Sequence, residues 1–273
     1  MIAAVLALSL FPWAGGTGIA AAFGLGSAPA RSSAEKALAG LLAGSAITFA
    51  ERSKPWIEAL GTVPEDEQRE RLTDLLRVLL DEHPERSTRA CVLLGAIHAE
   101  ESLPASTRGA SQDALVFGLT QRRDMGERWK ISADVVAARA LDVGLGSPEE
   151  RAALGKQLTE LAHGGSPHPH LAVRVECAAS ALKLKAQTAL NADLPSKGQA
   201  TETTAFLLAV LRAETPDQVK SPRTWPRITT LAWVKTRAAE ALALWTATDN
   251  RFRPDGSWAH QVAEAARFES LLR

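Results

Sequence analysis

Val234-Lys235-Thr236-Arg237-Ala238-Ala239-Glu240-Ala241-Leu242 places two adjacent alanines, a spacer and an Ala-Leu pair behind a valine and two basic residues. Relatives of its alanine patch recur at Ala90-Cys91-Val92-Leu93-Leu94, Ala137-Ala138-Arg139-Ala140-Leu141 and Ala178-Ala179-Ser180-Ala181-Leu182. The patches start at 90, 137, 178 and 238, giving steps of 47, 41 and 60 residues, and the first two steps suit paired-helix repeats. Small side chains let one helix backbone approach its neighbours while the leucine fills the groove between them, so such units bury a core only by stacking. A step of this length holds two helices of roughly 15 residues and two turns.

The patch at 234–242 resembles the second-helix pattern of the HEAT-repeat family: valine, a basic residue, spacers, Ala-Ala and Ala-Leu. Val173-Arg174-Val175-Glu176, ahead of Cys177-Ala178-Ala179, is similar but shifted by one position. The copy at Ala90 ends in Leu94-Gly95 as that family does, yet has Arg86-Ser87 in place of valine and a basic residue; the copy at Ala137 has Ala133-Asp134 there. The resemblance implies an all-α fold, a right-handed alpha-alpha superhelix of about four to five helical pairs over 31–273. It also implies a scaffold or protein-binding role, because such stacks serve chiefly as binding surfaces. Some HEAT-like proteins resemble enzymes or enzyme-associated subunits, for example bilin lyases, and that is the rival reading.

Composition agrees with a folded helical chain. Of 273 residues, 46% are hydrophobic and 23% charged, which excludes wholesale disorder. Tyrosine is absent and aromatics make up only 5%, so helix is favoured over strand. Thirty-one Lys and Arg balance 31 Asp and Glu, and a net charge of zero gives no pull toward nucleic acid. Basic residues do gather locally, at Arg122, Arg123, Arg128 and Lys130 and again at Lys220, Arg223, Arg227, Lys235 and Arg237, the second set with Trp225 and Trp233 interleaved. A solvated loop or helix end is the plainer reading of both groups.

Residues 1–30 read as an export signal or a membrane anchor. Ile2 to Leu10 is apolar, Gly15-Gly16 breaks the run, Ala28-Pro29-Ala30 offers small residues for cleavage, and Arg31 is the first charge. A basic segment before the apolar run is missing, and five glycines make a poor spanning helix, so a buried core helix is a third reading. The expectation is a periplasmic or secreted protein, with membrane association through residues 1–30 and a cytoplasmic location as the alternatives.

Periodicity predicts helices throughout, over 34–52, 56–61, 64–82, 85–98, 110–121, 132–143, 151–163, 171–190, 201–212, 228–246 and 257–272. Pro64-Glu65-Asp66-Glu67 and Ser147-Pro148-Glu149-Glu150 are strong starts, with proline and acids in the first turn. A loop rich in proline and charge over 215–226 accounts for the longest step. Arg267, Glu269 and Arg273 suit a polar cap on the last unit.

Catalytic motifs are missing: the chain has no Gly-rich loop followed by lysine, no Gly-x-Ser-x-Gly and no His-Glu-x-x-His. No cofactor is expected. Candidate contacts for a protein partner are Arg139, Arg174, Lys235 and Arg237 on second helices, with Trp225, Trp233 and Phe252 near the C-terminal units. The alternative for the aromatics is that they wedge gaps between repeats. His163, His168 and His170 form the one histidine concentration, and a flexible loop could gather them around a transition metal; a solvated turn is the plainer reading, since structural zinc sites usually carry paired cysteines. Cys91 and Cys177 replace alanines in the patches, which predicts buried thiols in different repeats, too far apart to bridge.

Overall fold

A computed structural model describes residues 33–79, 84–121, 131–189, 199–213 and 231–273. Among these the chain is all-helical, with eleven α-helices and no strand. They are α1 Ser33–Ala43, α2 Ala46–Leu60, α3 Glu65–Leu79, α4 Pro84–Ala99, α5 Ala105–Gln121, α6 Ile131–Ala140, α7 Pro148–His163, α8 Leu171–Ala189, α9 Glu202–Arg212, α10 Leu231–Thr246 and α11 Trp258–Leu271. No helix of the described residues is long and apolar enough to cross a membrane. The export or anchor reading of residues 1–30 lies outside the described residues, as do Trp225, the basic group over 122–130 and Lys220, Arg223 and Arg227 of the second group.

Local chemistry sets the helix starts. Ser147 accepts from the Glu150 N–H while the Glu150 carboxylate accepts from the Ser147 N–H, with Pro148 in the first turn. Gly146 sits just ahead at φ +79°, a backbone setting that disfavours a side chain. Thr201 caps α9 through a reciprocal pair with Thr204, and Ser257 caps α11.

Several boundaries differ from the periodic reading: α5 starts at Ala105 and not at 110, α6 ends at Ala140 and not at 143, and the amino-terminal helices divide differently. The predicted helix over 34–52 breaks at Gly44-Ser45, where the Ser45 hydroxyl accepts from the Thr48 N–H and starts α2. α2 then runs through Pro55, so the segment 56–61 is its last turns and not a separate element. The apolar spacing of Phe49, Ile57 and Leu60 outweighs the proline, whose ring sits on the exposed side.

The alanine patches occupy equivalent places. Each lies on an even-numbered helix, and α4, α6, α8 and α10 pack on one another in succession. The odd-numbered helices pack against this row, with α3 beside α5, α7 beside α9 and α9 beside α11. Ala90, Ala137, Ala138, Ala178, Ala238 and Ala239 are all buried, and one apolar core runs from Leu38 to Leu272. Gly95 of α4 shows how close the approach is: a Cβ there would lie 2.7 Å from the Ala140 Cβ of α6. Burying such a seam at about 25 cal/mol per Å² of apolar surface is the main stabilising contribution.

Small polar side chains stitch neighbouring helices through backbone carbonyls. Ser180, the spacer of the third patch, donates to the Ala138 carbonyl of the second at 2.8 Å, and Ser111 of α5 donates to Leu94 at 2.6 Å. His98 of α4 donates from Nε2 to the Val143 carbonyl beyond α6 at 2.6 Å. Burial holds this imidazole below its ordinary 6.5, so the neutral ring serves as the donor. Cys91 and Cys177 are buried and not joined by a disulfide.

Candidate functional site

The even row carries the polar positions that the sequence singles out. Glu176 of α8, 1% exposed, stands between Arg139 of α6 and Arg237 of α10. Arg139 Nε donates to Glu176 Oε1 at 2.8 Å and its Nη2 to Oε2 at 3.3 Å. Arg237 donates from Nε to Oε2 at 3.1 Å and from Nη2 to Oε1 at 2.7 Å. Both guanidiniums therefore grip one carboxylate, and Arg237 also bonds Glu240 on its own helix. Burial pushes the Glu176 carboxyl up, but the hydrogen bonds and charge of Arg237 and Arg139 outweigh it and hold the group below its ordinary 4.5. Lys183 of α8 adds a bond to Asp142 at 2.8 Å.

Other expected contact residues are turned inward. Lys235 is 0% exposed, so it has no surface to offer a partner: its ammonium donates to Gln261 Oε1 at 3.0 Å and lies 4.9 Å over the Trp258 ring. Burial lowers its pKa to about 8. The two-residue offset from Arg237 explains the difference, because it rotates the side chain by roughly 200° around the helix. Arg174 donates to the Ala162 carbonyl at 2.6 Å and stacks 4.9 Å over Phe206, tying α8 to α7 and α9. Trp233 is partly buried against the core, and Phe252 is buried. Both fill gaps between helices. Arg267 bonds Glu264 and the Asp249 carbonyl, Glu269 bonds Arg212 at the surface and Arg273 is exposed, while Trp258 and Val262 are also exposed on α11.

His168 and His170 stay together, with ring centroids 5.6 Å apart, while His163 packs elsewhere, on α9. His168 is buried, its Nδ1 accepts from the His170 N–H, and its Nε2 faces Asp134 Oδ2 of α6 at 3.4 Å. His163 contacts the Thr203 hydroxyl at 3.1 Å and packs on Phe206. Among the described residues no group of three His, Cys, Asp or Glu side chains is arranged to hold a metal ion.

A groove of about 420 Å³ lies at the edge of the helices, where α7 begins, α8 ends and α9 begins. Ala181 and Leu182 form its apolar floor, and Arg151, Lys156 and Lys185 reach it from two helices. Glu202 is the one carboxylate among the described lining residues. Sequence reading missed this feature, because its parts come from three helix ends and no motif links them.

No family model, no curated protein and no solved structure matches this chain.

Proposed function

We propose that the chain is a right-handed superhelix of HEAT-like helical pairs, a non-catalytic scaffold that docks a protein partner along its even row in an envelope compartment. The pairs are α3 with α4, α5 with α6, α7 with α8 and α9 with α10, with α1 and α2 before them and α11 after. The observation that carries the reading is the succession of α4, α6, α8 and α10, which brings all four alanine patches side by side. In such a stack the even helices line the concave side. Their accessible surface combines apolar Val92 and Leu244 with Arg139, Arg237 and Glu240, the accessible members of the network around buried Glu176, an apolar patch with a polar fringe.

Photo-crosslinking in the native host tests it. A crosslinking residue at Val92, Val136, Lys183 or Leu244 is expected to capture one and the same protein, while Glu70 on α3 and Ala209 on α9 capture none. Capture from the odd row alone, or a different protein at every position, rejects the docking face. Sequencing the mature amino terminus tests the export expectation for residues 1–30.

A further inference from the structure

We propose that the edge groove between α7, α8 and α9 holds an acidic segment of a protein partner. This deepens the scaffold reading and rests on it, but uses a surface apart from the even-row face. Three cations meet one carboxylate among the described lining residues. Lys156 is exposed and makes no hydrogen bond or ion pair among those residues, and Arg151 Nε is buried without a hydrogen-bond partner. Lys185 lines the groove and its ammonium lies 5.9 Å over the Trp245 ring. At the closed end, the Thr201 and Thr204 pair satisfies two backbone donors of α9. The N–H groups of Glu202 and Thr203 are first-turn donors with no intrahelical acceptor, and the helix end adds positive potential.

The floor decides between a peptide and a bare anion. Ala181 and Leu182 line the groove together with the cations, so it suits a segment carrying both acidic and apolar side chains. A small inorganic anion would leave that floor uncovered.

Fluorescence anisotropy on the full chain at low ionic strength is the test, with a labelled hexapeptide of alternating glutamate and leucine as probe. The lysine and leucine counterpart and inorganic triphosphate serve as comparisons. The acidic peptide is expected to bind, with Lys156→Glu weakening it about tenfold and Glu202→Gln tightening it about threefold, as gained or lost pairs of 1 kcal/mol or so imply. Lys54→Glu on distant α2 should change nothing, and both groove positions are exposed enough that the fold survives. Peptide affinity unmoved by Lys156→Glu, or a groove that takes triphosphate and not the peptide, overturns the proposal. The two readings fail separately. Either of those results leaves crosslinking at Val92, Val136, Lys183 and Leu244 intact, whereas loss of that crosslinking with peptide binding retained rejects the even-row face alone.

Discussion

The even row and the odd row are built from the same kind of helix but joined differently. Along α4, α6, α8 and α10 the buried alanine patches lie on successive contacting helices, with a Gly95–Ala140 approach, a serine-to-carbonyl bond and a shared carboxylate crossing the gaps. Along the odd row the joints are looser: α7 meets α9 through a lighter contact, and the groove opens beside it. Close approach is thus a property of small residues facing one another across a helix pair, as at Gly95 and Ala140.

Several substitutions would break or sharpen that contrast. Gly95→Val should be the most damaging, about 3 kcal/mol by urea unfolding, since its side chain must enter space held by Ala140. Ala152→Leu on exposed α7 should stay within about 0.5 kcal/mol, and equal losses at the two sites would erase the distinction between rows. Glu176→Ala should cost about 2 kcal/mol, less than a fully enclosed pair, because Arg139 keeps half its side chain in solvent.

Acid titration gives the sign for the same carboxylate. Its folded pKa lies below 4.5, so its contribution is present above that value and is lost as pH falls through the folded pKa. Glu176→Gln should flatten that part of the stability curve; an unchanged acid limb would mean the carboxylate is not the group responsible. Lys235 acts in the alkaline range. With a folded pKa near 8 against an ordinary 10.5, the unfolded chain holds its proton longer, so stability rises with pH between those values. The rise is on the order of 2 kcal/mol and should vanish in Lys235→Met, as read by unfolding at pH 8 and pH 10. Ser180→Ala should lose about 1 kcal/mol, the worth of one buried hydrogen bond, with no change in the pH profile.

The core was legible in the sequence because burial in a helix leaves a periodic trace. Ala138, Leu141, Ala178 and Leu242 could be placed inside from their spacing alone, and Ser147 and Thr201 marked helix starts through local hydrogen bonding. Polar positions were less readable. Arg139 and Arg237 stood out as surface contacts, but the residue that fixes them, Glu176, lies on another helix and has no local signature. Lys235 looked like its neighbour Arg237 and faces the other way, toward α11, a contact decided by tertiary packing. The division between 34–52 and 56–61 failed for the opposite reason: Pro55, a strong local breaker, is carried within α2 by its apolar face.

The grip of two guanidiniums on one carboxylate also constrains how this chain can drift. Losing either arginine leaves Glu176 with a remaining counterion, whereas losing Glu176 sets two like charges close together with only Glu240, on the helix of Arg237, to offset them. Substitutions at positions 139, 176 and 237 should therefore be non-additive, the loss of an arginine being the milder first step.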